Sequence, residues 1–328
     1  MRETAAKPRP AGRAVTPADP AVAWLLASPE PGVRAQARRD LLDQPAAEDE
    51  RAALDGPKVS ALLAGQRPDG GFGGHPYRKW GGVHWRLVSL VELGVPAGEP
   101  RVLAAADRVL SWLTGGPHRR SGKEIDGLTR ICASLEGNAL GACCRLGLAG
   151  DPRAELLARA LVGWQWPDGG WNCDQRASGR RSSFHETLPP AWGLHEYCQA
   201  TGADWAKLAS GRAAELLLEH RLFRSLRDGR VIDRRWLALH YPPYWHYDVL
   251  QALLVLSRMG LAGDPRAGDA LDVVERLRPP DGHWRPGGSW WRLGGQGSGP
   301  AEVVDWGRDG PSEMLTLNAL RVLRSGGR

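Results

Sequence analysis

A Gly-rich turn occurs three times in this chain, in a register that a repeat array keeps and chance does not. Gln66-Arg67-Pro68-Asp69-Gly70-Gly71-Phe72 returns as Gln165-Trp166-Pro167-Asp168-Gly169-Gly170-Trp171 and, in degraded form, as Arg278-Pro279-Pro280-Asp281-Gly282-His283-Trp284. The stretch Leu148 to Ala154 recurs letter for letter at Leu261 to Ala267, with the same offset that separates Asp168 from Asp281. Self-similarity of this kind means stacked supersecondary units. Between the turns lie apolar segments at helical spacing, as in Glu155 to Trp164 and Asp269 to Leu277. Asp151-Pro152 and Asp264-Pro265 read as helix starts, with Asp as N-cap and Pro at the first helical position. Gly147, Gly202 and Gly260 fall where helix ends need a residue tolerant of positive φ. The pattern predicts an all-α chain of about six hairpins, roughly 50 residues each, with at least about half of its residues helical.

Composition bounds the rest. A hydrophobic share of 42% over 328 residues supports one large core, and we expect a single domain over residues 21–328. Met1 to Pro20 is rich in Pro, Ala and Arg without an apolar run, which reads as a disordered leader rather than a signal peptide or a span. The formal charge is +6, but basic residues are mixed with acidic ones apart from pairs such as Arg119-Arg120 and Arg180-Arg181. No nucleic-acid stripe results. Cys132, Cys143, Cys144, Cys173 and Cys198 are odd in number and in no metal-finger spacing, consistent with a reduced, cytoplasmic protein.

The turn Gln-x-x-Asp-Gly-Gly-Trp/Phe resembles the QW repeat of squalene-hopene and oxidosqualene cyclases, and Ser182 to Leu194 resembles the helix that follows it there. From about Pro57 onward the resemblance implies an α/α toroid, a closed ring of paired helices. An open helical solenoid is the alternative, since Pro29 to Leu42 looks like a HEAT-type hairpin. Neither a DxDD nor an Asp-Cys-Thr motif occurs, and the chain matches one barrel only, so cyclisation started by a protonating Asp is disfavoured. The β subunits of protein prenyltransferases are also similar. Their zinc His sits in a Tyr-His-Thr setting that Phe184-His185-Glu186-Thr187 resembles, and Leu135-Glu136-Gly137-Asn138 stands where they have Val-Asp-Gly-Cys. The resemblance therefore carries a zinc expectation, with Glu136 for the Asp and Asn138 for the Cys.

Aligning the first helix of successive units on its Ala-Leu or Gly-Leu stretch places Glu136, His185, His246 and Ser312 at one equivalent position, with His84 close to it, and Trp85 counts among the cavity aromatics. In a toroid such positions rim one mouth of the central cavity. We therefore expect His185 and His246 to approach each other there, with Glu136 or Cys173 in the same shell. Glu136, His185, His246 and Asp248 are the catalytic candidates, and Cys173, His185, His246 and Asp248 the candidate zinc ligands. The run Leu239 to Asp248, with His240, Tyr244, Trp245 and Tyr247, is the densest aromatic and polar segment. It reads equally as a ligand-contacting loop or as a plug of the ring, and Pro242-Pro243 bars helix there. An enzyme or binding protein for an isoprenoid-like apolar molecule in the central cavity is the first functional expectation. A zinc-assisted enzyme and a non-catalytic helical scaffold are the alternatives.

Overall fold

The structure is a computed structural model, and it describes residues 16–296 and 298–328. In chain order the helices are α1 (Pro20–Leu26), α2 (Pro31–Leu42), α3 (Ala47–Arg51), α4 (Pro57–Leu63), α5 (Val83–Glu92), α6 (Pro100–Leu113) and α7 (Gly116–Arg119). There follow α8 (Ala133–Arg145), α9 (Pro152–Trp164), α10 (Phe184–Thr201), α11 (Asp204–Glu219), α12 (Val249–Arg258), α13 (Gly268–Arg276) and α14 (Glu313–Ser325). Together with short 3-10 turns they occupy about half of the chain. Strand is confined, among the described residues, to two ribbons: β1 (Lys123–Ile125) with β2 (Leu128–Arg130), antiparallel, and β3 (Arg292–Leu293) with β4 (Ala301–Glu302), parallel.

The helices form two concentric layers. Within the inner layer α5 packs on α8, α8 on α10, α10 on α12, α12 on α14 and α14 on α2. The amide of Gln36 on α2 closes the circuit by donating to Glu92 O at the end of α5, at 3.2 Å. These inner helices are buried on nearly every face, as in α8, where Ala133 to Cys144 are all buried. The outer helices α6, α9, α11 and α13 bury one stripe each, as an amphipathic surface helix must. The ring is an α/α toroid.

The Asp-Gly-Gly turns lock one outer helix to the next. Gln165 Nε2 donates to Gly169 O within its own turn and to Ala209 O on α11, at 2.7 and 2.8 Å; Gln66 Nε2 likewise bonds Gly70 O and Arg101 O on α6. Gly70 has to be glycine twice over, because its φ is +76° and a Cβ would lie 2.1 Å from Ala104 O. Trp171 Nε1 donates to Leu161 O and Trp284 Nε1 to Val274 O, so each ring is buried with its polar handle satisfied. At the third turn Arg278 stands in the place of Gln and its guanidinium reaches Asp19, the N-cap of α1, at 2.7 Å. By that equivalence α1 is the outer partner that follows α13. The N-terminal helix thereby closes the ring beside the C-terminal one, on which it also packs. Residues 1–15 of the expected leader lie outside the described residues, and Pro20 already begins α1.

Asp151 and Asp264 cap as expected, and Gly147, Gly202 and Gly260 have φ of 82°, 73° and 74°. Pro189 and Pro190 fall inside α10, in its second turn. Their backbones press against Gly137 of α8, where any Cβ would come within 2.3 Å of Pro190 N. A close Gly-to-Pro crossing of α8 and α10 results, and it sets the floor of the site described next. No helix among the described residues is long and apolar enough to cross a membrane.

Candidate functional site

The centre of the ring is filled by the chain itself. The segment after Leu239 enters the mouth formed by the inner-helix N-termini, and Tyr244 reaches its axis. There Tyr244 stacks on Trp80 at 4.7 Å, and its hydroxyl meets Ser89 Oγ at 3.2 Å and donates to Glu302. Asn138 Nδ2 holds the Tyr244 carbonyl at 2.8 Å. Tyr244 adopts a left-handed φ of 48°, a conformation that costs a non-glycine residue on the order of 1 kcal/mol and is kept only where surroundings dictate it. The void left between this segment, His185, Trp192 and Arg258 is about 40 Å³, room for little more than water.

The helix caps correct the alignment made from sequence. Ser183 N donates to Trp171 O and Ser312 N to Trp284 O, while Trp171 N and Trp284 N donate to the hydroxyls of Thr187 and Thr316. Ser183 and Ser312 are therefore the equivalent pair, joined by the caps Cys132 and Asp248. On that frame Glu136 lies past its cap, His185 lies in the first turn of α10, His246 precedes its cap and Ser312 is a cap, so these four are not equivalent. His185 Nδ1 accepts from Tyr247 N at 2.9 Å, which needs a neutral ring, and burial lowers its pKa accordingly. His246 is sandwiched between Trp245 and Trp290 at 3.9 and 3.8 Å, and burial, with His185, His240 and Lys79 nearby, pushes it down to about 3. The two imidazoles share the indole of Trp245 as a neighbour, but each is committed to its own packing.

Asp248 caps α12 through Gln251 N and also accepts from His240 N, both at 2.9 Å, while His240 packs on Trp290. Tyr247 OH donates to Leu222 O at 2.6 Å, Trp85 Nε1 to Tyr77 O at 2.8 Å, and Ser312 Oγ caps Leu315 N. His84 is wholly buried between Trp85 and Trp112 with neither ring nitrogen bonded, and burial holds it down to about 3. Glu136 turns away from both histidines to His118, Oε1 to Nε2 at 2.7 Å. The set Cys173, His185, His246 and Asp248 does not converge on one point, because Asp248 is spent as a cap and both histidines on the aromatic plug. Only Cys173 of that set lies in a cluster of metal-ligating atoms among the described residues.

That cluster is Cys132, Cys173 and Glu186, whose sulfur and carboxylate atoms all lie within 4.8 Å of one another. The backbone brings them together in a simple way. A parallel bridge pairs Arg130 with Asn172, and Ile131 N donates to Asn172 O, so the residues that follow, Cys132 and Cys173, lie side by side. Glu186 comes from the first turn of α10, fixed by Ser134 N at 2.9 Å. The Cys173 thiol donates to the Cys132 sulfur, which draws Cys132 down and, together with burial, holds Cys173 up. Burial raises Glu186, with Glu136 adding to it against the bonds from Ser134. Cys132 is exposed to a cleft of about 560 Å³ at this mouth, walled by Tyr77, Trp112, Ile131, Leu135 and Trp245 and with His118 on its rim.

Cys132, Glu186 and His118 were not among the sequence candidates. Two signals pointed to them: Cys132 occupies the cap position that Ser183 fills one unit later, and Glu186 sits beside the singled-out His185. Glu302 was also missed, lying in the short strand β4, which has no repeat partner. Burial raises it to about 7, against the bond from Tyr244. An acid whose folded pKa is raised from 4.5 contributes stability below that value and loses it as pH climbs through about 7. Glu302→Gln is therefore expected to gain on the wild type by up to about 3 kcal/mol between pH 5 and pH 8. Urea titrations of both proteins at the two pH values check this; an unchanged difference refutes it.

No family model matches the chain, and no curated protein does. Among solved structures it is similar to the GH76 α-mannanase BT2949 of Bacteroides thetaiotaomicron, with 11% identity over 76% of this chain and 69% of that one and a TM-score of 0.38. A protein from Actinoplanes has 18% identity over 91% and 90% of the two chains, with a TM-score of 0.40. The type II terpene cyclase MstE from Scytonema has 14% identity over 81% and 95%, with a TM-score of 0.28. Likeness at this level decides nothing about chemistry.

Proposed function

We propose that this toroid is a zinc-assisted enzyme whose substrate, an apolar and isoprenoid-like molecule, lies in the mouth cleft rather than in the plugged centre of the ring. The carrying observation is the convergence of Cys132, Cys173 and Glu186 at the floor of an aromatic-walled cleft. Two thiols and a carboxylate are the donor set of a borderline metal, and three protein ligands with one open side are the pattern of a catalytic rather than a structural site. The charge balance supports the same reading. Glu136 keeps its Oε2 buried without a bonding partner, and two acids and a thiol that its neighbour draws down lie together, with His118 on Glu136 and Lys79 nearby as the basic groups. Such a cluster is costly unless a positive charge is shared among them.

Zinc held there would act as a Lewis acid on a substrate oxygen or sulfur. The chain's own residues do the remainder. Cys132, exposed to the cleft, is the ligand nearest the substrate side, while Glu186 is pinned by Ser134 N and so fixes the floor. His118 shares a proton with Glu136 at the rim and can pass it to or from a bound molecule. Tyr77, Trp112 and Trp245 exclude water and give the hydrocarbon its surface.

Protein purified without added metal is expected to carry about one zinc per chain, and after exchange into cobalt to show thiolate-to-cobalt absorption in the near ultraviolet. Cys132→Ser and Cys173→Ser should each remove that absorption, whereas His246→Ala should keep it. Thermal stabilisation by farnesol, lost in Trp245→Ala, would support the substrate class. A protein that neither copurifies with metal nor takes up cobalt sinks the reading and leaves a helical scaffold.

A further inference from the structure

The opposite mouth of the ring, where the inner helices end, carries a second constellation. Arg145 ends α8 and Arg258 ends α12. Both guanidinium groups lie over the indole of one residue, Trp192 of α10, at 6.0 and 5.3 Å from its ring centre. Each has a carboxylate on its outer side: Arg258 Nη2 donates to both oxygens of Glu92, and Arg145 Nε to Glu196 at 3.0 Å. Glu196 in turn accepts from Trp192 Nε1 at 2.8 Å, which fixes the indole beneath the two cations. Arg321 stands alongside, bound to Asp40, Gln36 and Asn318.

The pairing is incomplete. Among the described residues Arg145 bonds only through Nε and Arg258 only through Nη2, which leaves further N–H groups on both without a protein acceptor. Between them Ser257 Oγ is buried with no partner at all. Arg145, Ser257, Arg258 and Arg321 line one depression of about 350 Å³, with Arg39, Asp40 and Ser325 also on its wall. Cations at helix C-termini are favourable in themselves, and that alone would explain one exposed arginine per helix. It does not explain why Arg258, at 15% side-chain exposure, leaves donors without a protein acceptor, nor why two guanidinium groups lie over a single ring.

We propose that this mouth binds a small oxyanion, a phosphate or a carboxylate, between Arg145, Arg258 and the Ser257 hydroxyl. Arginine suits planar or tetrahedral oxyanions because its fork offers parallel N–H donors, and the free edges of both arginines face one void. The site is separate from the zinc cleft, since the two lie at opposite ends of the inner helices and share no residue. It stands or falls without the function proposed above.

Inorganic phosphate is the first probe and acetate the second, each titrated at constant ionic strength against the full chain and followed by calorimetry and by melting temperature. Phosphate is expected to bind saturably and raise the melting temperature. Arg145→Met, at the more exposed position, should weaken binding roughly tenfold or more, and Ser257→Ala should weaken it less. Both variants should keep the wild-type far-ultraviolet circular dichroism and a cooperative melt, which report that the fold is intact. Acetate binding in place of phosphate would assign a carboxylate ligand. Absence of saturable binding by both probes, or equal binding by the wild type and Arg145→Met, overturns the site.

Discussion

Deleting residues 1–27 is expected to destabilise the whole ring, with the greatest loss of protection at the far end of the sequence, in α13 and α14. In an open solenoid each unit touches only its neighbours, so removal of one terminal helix frays that terminus and little else. Here α1 is an outer stave between the last units and the first. Ala21, Val22 and Leu25 are wholly buried, Trp24 stacks on His283 at 4.3 Å, and Asp19 pairs with Arg278. Full burial of each larger apolar side chain is worth about 1.5–3 kcal/mol. Together with the newly exposed faces of α13 and α14, the loss approaches the 5–15 kcal/mol that holds a typical domain together. Hydrogen exchange would show it as lost protection at Val273, Val274 and Leu315 to Leu323, although these lie hundreds of residues away in sequence. Loss confined to α2 would mean that the ring is open.

The hairpins were legible because their signals are local. Asp-Pro starts, Gly stops and the Asp-Gly-Gly-Trp turn each act through backbone geometry within a few residues, and a repeated local rule leaves a repeated string. What closes the ring was not legible, because Arg278 replaces the Gln of the motif and its partner, Asp19, lies in a stretch that reads from composition as leader. The site was half legible for a similar reason. Cys173 follows a recognisable turn, but its neighbour Cys132 is placed by a single backbone bridge between residues 130 and 172, which no periodicity reports. The histidines misled because an apolar-stretch alignment tolerates shifts of several residues, whereas the caps do not. His185 turns out to spend its polarity on Tyr247, and His246 to be packed between two indoles with its Nδ1 buried and unbonded. The cleft and the plug are made by loops, where chemistry-bearing residues are free of the repeat and so of its signal.

Tyr244→Ala is expected to cost about 3–5 kcal/mol and to open the centre of the ring to small apolar molecules. The side chain is 2% exposed and is held on every side: by Trp80, which stacks on it, by Trp85, tilted against it at 5.0 Å, and by Ser89 and Glu302 at its hydroxyl. Removal leaves a void on the order of 100 Å³ with indole rings on one side and the Ser89 hydroxyl and Glu302 carboxyl on the other, so its aromatic side can take benzene or xenon while water meets the polar groups. Alanine keeps the left-handed backbone strain, so the comparison reads the side chain alone, whereas Tyr244→Gly would add relief of that strain and should be less destabilising. Benzene should raise the melting temperature of Tyr244→Ala and leave the wild type unmoved. Tyr244→Phe separates the two contributions, since it keeps the ring in the channel but strands Glu302 and Ser89, and it should cost stability without creating a benzene site. If benzene stabilises the wild type equally, the segment is not a plug and the centre of the ring is already open to ligand. If Tyr244→Ala unfolds at ordinary temperature while Tyr244→Phe does not, the aromatic stack rather than the polar latch holds the mouth closed, and the toroid depends on its own side chain to fill the space that its helices enclose.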